Sequence, residues 1–200
     1  MKRIASIAFM SLAILATSCK NDKKDDNKSE DQVENTASQE DNMKMTEEVK
    51  EEKVTFKLEP KSDSKASGSV VFKESDGKVT FTAVIGGLNE GTHAIHIHES
   101  SDCSSADGKS TGGHWNPTAQ PHGKWGAADG FHKGDIGNFE ADENGNGTVT
   151  MTTDEWCIGC GDANKDIVGK AIIVHQGVDD FTSQPSGDAG ARISCGGIIQ

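Results

Sequence analysis

This chain of 200 residues has no apolar run long enough to cross a bilayer, no stretch with a sustained helical period and little positive charge. Each absence removes a class of protein. The apolar run Ile4–Leu15 falls short of the ~20 residues that a membrane-spanning helix needs. Without helical periodicity there is nothing from which to build a helix bundle or a helix-flanked parallel sheet. Residues 54–200 hold 11 Lys and Arg against 20 Asp and Glu. That part alone is near −9, which argues against nucleic acid or anionic lipid as a partner. Arg192 is its one arginine.

What is there begins with a targeting pattern. Lys2 and Arg3 precede the apolar run, and Ala16-Thr17-Ser18 leads into Cys19, the charged, apolar, small-residue order of a signal peptide over residues 1–18. Leu15-Ala16-Thr17-Ser18-Cys19 also resembles the lipobox of bacterial lipoproteins, which implies acylation of Cys19; the alternative is cleavage nearby with Cys19 discarded. Residues 20–53 are Lys, Asp, Glu, Asn, Ser and Gln with almost nothing to bury, too little to offset the entropy of ordering. From Cys19 to Lys53 we therefore expect a flexible tether, whose Lys20–Asp26 stretch reads as a solvated spacer or a sorting address. Apart from Cys19 an even number of cysteines remains, Cys103, Cys157, Cys160 and Cys195, as expected of an exported domain with disulfides.

Residues 54–200 carry short alternating segments rich in Val, Ile, Thr and Phe: 54–59, 68–73, 78–85, 92–98, 148–153 and 170–175. Period two with turn residues between, such as Ser75-Asp76-Gly77 and the 143–147 stretch Glu-Asn-Gly-Asn-Gly, predicts an all-β antiparallel sandwich or barrel. Two stretches, 99–139 and 177–192, do not read as strands, and loops so long are usually functional.

The histidines fall at the ends of strands and in the first of these loops. His96 and His98 leave one face of a strand with Cα atoms ~7 Å apart, able to converge on one metal or to be two polar residues on a wet face. His114, His122 and His132 follow, with Asp135 three residues after the last, and His175 ends a strand. Imidazoles with one carboxylate suit zinc or copper better than calcium or magnesium.

In order, His96-Ile97-His98, Gly113-His114-Trp115-Asn116-Pro117, His122, His132-Lys133-Gly134-Asp135, Val174-His175 and Gly187 to Gly196 resemble the copper–zinc superoxide dismutase family over essentially all of residues 54–200. The resemblance implies an eight-stranded Greek-key barrel with two long functional loops. It makes His96, His98 and His175 copper ligands, His114 an imidazole shared by copper and zinc, and His122, His132 and Asp135 the remaining zinc ligands. It makes Asp179 a carboxylate linking a copper ligand to a zinc ligand, against the alternative of a solvated Asp beside Asp180. Arg192 becomes the anion-holding arginine at the copper channel, against an ordinary surface ion pair. His93 becomes a structural histidine, and Cys103 and Cys195 a disulfide. The implied reaction is dismutation of superoxide to dioxygen and hydrogen peroxide, with His114 exchanging copper for a proton. A metal-binding or metal-delivering module without turnover is the rival reading on the same fold.

Three features depart from the common family plan. The stretch 102–112 is long, and its Ser, Gly and Asp content predicts a mobile lid edge. Cys157-Ile158-Gly159-Cys160 is extra; with no thioredoxin-like context, a small structural disulfide is preferred to a redox-active pair. The loop before Arg192 carries no lysine. The expected partner is superoxide, with membrane contact only through lipid at Cys19, in the bacterial cell envelope, for a monomer or homodimer.

Overall fold

The structure, a computed structural model, describes residues 51–200. The expected signal peptide, Cys19 and nearly all of the tether lie outside the described residues. Eight strands follow in order: β1 (Glu52–Pro60), β2 (Ser67–Ser75), β3 (Lys78–Gly86), β4 (Gly91–His98), β5 (Gly137–Ala141), β6 (Gly147–Thr153), β7 (Ala171–His175) and β8 (Arg192–Gly197). They close a barrel in the order β1-β2-β3-β6-β5-β4-β7-β8. All strand pairings are antiparallel, and the crossovers that set β3 beside β6 and β4 beside β7 are of Greek-key type.

Alternation explains the core. Phe72, Phe81, Ile85, Ile95, Ile97, Ile172 and Val174 turn inward and are almost wholly buried. On β4 and β7 the outer face is buried too, because the long loops lie over it: Ala94, His96 and His98 of β4 and Ala171, Ile173 and His175 of β7 are covered. This is where the functional side chains gather.

The six expected strands are all present, with no end shifted by more than two residues. β5 and β8 were not among the alternating segments. β5 begins inside the stretch expected as loop to Phe139, and its five residues Gly-Asn-Phe-Glu-Ala alternate too briefly to stand out. β8 carries Gly196 and Gly197, poor strand formers held here by β7 and by the Cys103–Cys195 disulfide.

The expected mobile lid edge at 102–112 is corrected by the structure. Lys61 Nζ donates to Cys103 O at 2.6 Å, Ser110 Oγ to Asp102 O at 2.6 Å, and Ser62 N to Ala106 O at 2.8 Å. Lys109–Thr111 forms a 3₁₀ turn whose Thr111 is fully buried. The Ser and Asp residues that suggested mobility instead supply the local hydrogen bonds that fix the loop.

Candidate metal centre

β4 presents His96 and His98, and β7 ends on His175 beside them, the two strands being paired Ile95 to Val174 and His98 to Ala171. The loop after β4 doubles back: His98 and His114 form an isolated antiparallel bridge, Trp115 N donates to Ile97 O at 2.8 Å, and Ile97 N donates to Gly134 O at 2.9 Å. This folding back lays the His114 ring 4.0 Å from that of His96, centroid to centroid. Two buried groups result, each with its ligand atoms within 4.8 Å of one another: His96, His98, His114 and His175; and His114, His122, His132 and Asp135. His114 belongs to both.

Hydrogen bonds decide which nitrogen each ring offers. His96 Nε2–H donates to Asp179 Oδ2 at 2.9 Å, His98 Nδ1–H to Gly112 O at 3.0 Å, and His175 Nδ1–H to Gly190 O at 3.4 Å. His122 Nε2–H donates to Asp179 Oδ1 at 2.9 Å. For His96, His98 and His175 this fixes the tautomer, and in all four rings the other nitrogen is turned into the cluster. Those nitrogens, His96 Nδ1, His98 Nε2, His122 Nδ1 and His175 Nε2, together with His114 Nε2 and His132 Nδ1, are buried with no hydrogen-bond partner. Six buried ring nitrogens without partners would be costly in any site not built to hold cations.

The carboxylate group has the dimensions of a zinc site. Asp135 Oδ1 lies 2.8 Å from His114 Nδ1 and 3.2 Å from His132 Nδ1, and Oδ2 lies 3.0 Å from His122 Nδ1. The last two pairs are close but misaligned for hydrogen bonding, so these atoms face a common centre. A tetrahedron with bonds of ~2.0–2.1 Å has edges of about 3.3 Å, which these contacts approach. Backbone N–H groups of His132 and Gly123 fix Asp135 Oδ2 at 2.8 and 3.2 Å.

Electrostatics points the same way. Burial pushes His98 and His175 well below the ordinary imidazole pKa. Burial also lowers His96 despite Asp179, and takes His114 down to about 4 despite Asp135. These rings stay neutral, as ligands must. His122 goes the other way, raised to about 9, because Asp135 and Asp179 together outweigh its burial. Against their own burial, both carboxylates are pulled far below the usual range by the rings that touch them. The pocket calls for positive charge, which a divalent cation supplies.

Asp179 stands between the groups and is itself held from β5. Its N–H donates to Asn138 Oδ1 and its carbonyl accepts from Asn138 Nδ2, both at 2.8 Å. Gln184 clasps His122 in the same reciprocal way, at 2.8 and 2.9 Å. Gly187 closes over the pair at φ +70, where a Cβ would stand 1.8 Å from Asp179 Oδ1 and 2.7 Å from His122 Nε2. No larger residue fits there. Asn138 and Gln184 escaped sequence reasoning because their partners are backbone atoms of distant residues.

An open-mouthed cavity of about 460 Å³ lies over His98, His114 and His175, with Glu99, Asp188 and Arg192 also on its walls. A β-bulge at Val174/His175 sets Arg192 opposite His175, turning the guanidinium toward the site. Arg192 Nη1 donates to Gly108 O at 3.0 Å and Thr111 Oγ1 at 3.1 Å. Gly108 packs on the arginine stem, where an added Cβ would lie 3.3 Å from Arg192 Cβ. His93 is apart from both groups, buried between the carbonyls of His175 and Asn89 at 2.9 Å each. The cysteines pair as Cys103–Cys195 and Cys157–Cys160.

Comparison with known proteins agrees with this geometry. The family model described as "Copper/zinc superoxide dismutase (SODC)" matches residues 66–198. "Superoxide dismutase [Cu-Zn] 2" of Brassica juncea is 34% identical over 142 residues, covering 68% of this chain and 90% of that protein. Among solved structures, a double mutant of a SOD-like protein from Bacillus subtilis is similar with TM-score 0.65 and 32% identity, over 73% of this chain and 97% of the other. The clock protein EA4 is similar with TM-score 0.63 and 31% identity, over 74% and 94%. Ligand geometry and sequence likeness thus converge, and the chain belongs to the copper/zinc superoxide dismutase family.

Proposed function

We propose that this superoxide dismutase works through copper held by His96, His98, His114 and His175 and bridged by His114 to zinc held with His122, His132 and Asp135, and that it protects the cell envelope from superoxide. The reading rests on one observation: the His114 ring turns Nδ1 to Asp135 and leaves Nε2, buried and without a hydrogen bond, among the other three histidines. Copper supplies the one-electron couple for dismutation, and zinc, having no second accessible oxidation state, organises ligands. Arg192 holds the anion at the cavity wall with its planar fork of N–H donors. With Nδ1 given to zinc, the His114 ring would carry a proton at Nε2 whenever that nitrogen is not a ligand and would still be neutral, which its burial favours. Asp179, hydrogen-bonded to His96 and His122, keeps both rings aimed.

The test is metal content with activity. Purified protein is expected to hold about one copper and one zinc per chain and to lose superoxide decay on copper chelation. Zinc alone, with activity surviving chelation, would overturn the copper assignment; full metallation without turnover would favour the delivery module. The envelope role rests on the pattern Leu15 to Cys19 and the polar stretch after it. Cys19→Ser is expected to release the protein from the membrane fraction with specific activity unchanged, and retention after a salt wash would remove the lipid anchor.

A further inference from the structure

The β6–β7 crossover, residues 154–170, supplies none of the candidate metal ligands, and none of its residues lines the cavity over them. It holds a second cystine, Cys157–Cys160. The two sulfurs are in unlike places. Cys157 follows the buried Trp156 and is itself only 6% exposed, whereas Cys160 stands in the exposed run Gly159–Lys165.

The loop is shaped by something other than its disulfide. Asp166 Oδ1 accepts the N–H groups of Gly159 and Val168, both at 3.0 Å, and Oδ2 accepts that of Gly161 at 2.8 Å. Cys157 is bridged by its own backbone: its N–H donates to Lys165 O at 2.9 Å, and its carbonyl accepts from Ile167 N at 3.1 Å. One buttressing carboxylate and a backbone bridge thus hold both sides of the cystine through contacts that do not involve the sulfurs. Asp162 N–H points at Cys160 Sγ at 3.4 Å, a donor that favours negative charge on that sulfur when it is released from a mixed disulfide.

We propose that Cys157–Cys160 is a thiol-exchange site, reversibly reduced by an external thiol, while Cys103–Cys195 is the structural bridge. The external thiolate attacks the exposed Sγ of Cys160; the S–S bond breaks, and Cys157 leaves as thiolate and takes a proton from solvent. A second external thiolate then attacks the mixed disulfide, freeing Cys160 and carrying away the oxidised partner. Two electrons pass from two thiols, or one dithiol, to the cystine. Access governs which bridge reacts: Cys195 is 1% exposed and its partner Cys103 half-buried, whereas Cys160 stands exposed.

The experiment uses the full chain loaded with copper and zinc, equilibrated in graded glutathione buffers, trapped by alkylation and mapped by peptide mass. The Cys157–Cys160 peptide is expected to open at a reducing ratio [GSH]²/[GSSG] at least about 100-fold lower than that which opens Cys103–Cys195. Opening of both pairs together, or of Cys157–Cys160 only on unfolding, overturns the proposal. In Cys157→Ser, Cys160 is expected to take up glutathione rapidly, and in Cys160→Ser, Cys157 slowly. Equal rates overturn the choice of attacked sulfur, and no adduct in either variant overturns exchange. Parallel reduction by thioredoxin identifies the source: faster reaction with it assigns a protein dithiol, faster reaction with glutathione a small thiol, and inertness to both removes the site.

Discussion

Arg192 shows how much of the site depends on single side chains that are not ligands. The domain is near −9, so superoxide meets an average repulsion, and Glu99 and Asp188 stand on the same cavity walls. A unit charge ~5 Å from the bound anion gives roughly 3 kcal/mol at an effective dielectric near 20, which solvent at an open mouth reduces to about 1–2 kcal/mol. Arg192→Ala is therefore expected to lower the second-order rate roughly 5- to 30-fold with both metals retained. Pulse radiolysis over a range of ionic strength reads this directly: the wild-type rate falls with salt and the variant's less so, and an unchanged rate in the metallated variant removes Arg192 from the mechanism. Asp135→Ala is expected to lose zinc selectively and to leave copper largely in place, since Asp135 touches only the second group together with the shared His114. Equal loss of both metals would mean that the ligands are wrongly divided. The histidines were legible in the sequence because their residue type is itself the chemistry. Thr111, Asn138 and Gln184 were not, because each is a common polar residue whose role comes from a partner 41 to 81 positions away.

At the scale of elements, the two disulfides differ in what they can contribute. Cys103–Cys195 closes a loop of sequence separation 92, worth roughly 4–5 kcal/mol in the chain-entropy model; Cys157–Cys160, with separation 3, is worth roughly 2. The crossover between β6 and β7 reaches the zinc loop by another route. Trp156 is buried against Phe72, Phe81 and Trp125, and its Nε1–H donates to Lys133 O at 2.8 Å, between His132 and Asp135. Lys133 also pairs with Glu155. Trp156→Phe keeps much of the ring packing and leaves that carbonyl without its donor, at about 1–3 kcal/mol. The expected result is a Tm lower by roughly 3–10 °C, with weaker zinc retention measured by competition with a chelator; a variant of unchanged zinc affinity would detach Trp156 from the site. Strands with a clean period of two were readable from sequence, as β3 shows in its alternating Val79, Phe81, Ala83 and Ile85. β5 and β8 were not, since one is five residues long and the other is rich in glycine and acquires its geometry from β7. The loop 102–112 misled for a related reason. Ser, Asp and Gly are the residues of mobile loops and of tightly hydrogen-bonded ones, and only tertiary partners such as Arg192 and Lys61 separate the two.

Over the whole molecule, folding buries all seven histidines, and this makes the metal-free chain sensitive to acid. For His96, His98, His114 and His175 the folded pKa lies below the unfolded value near 6.5, with His114 at about 4. The unfolded chain therefore takes up protons first, and stability falls as pH drops below about 6.5, at up to ~1.4 kcal/mol per pH unit for each ring that stays neutral. Asp135 and Asp179 are depressed, so their contribution is present above the unfolded value near 4 and is lost as pH falls further toward their folded pKa. His122 has the opposite sign: raised to about 9, it contributes stability that is complete below 6.5 and lost as pH rises through 9. Four rings act on the acid side and one on the alkaline side, so the metal-free chain is expected to be most stable near pH 7 and to weaken more steeply toward acid than toward alkali. Bound metals change this profile because they compete with protons for the same nitrogens. Loading should move the acid limb down by roughly one to two pH units until the ligands are protonated and the ions leave. Thermal unfolding from pH 3 to 10, with and without chelator, measures both limbs. Coincident acid limbs in the two series would mean that the cations are not held by these rings, whatever the metal content.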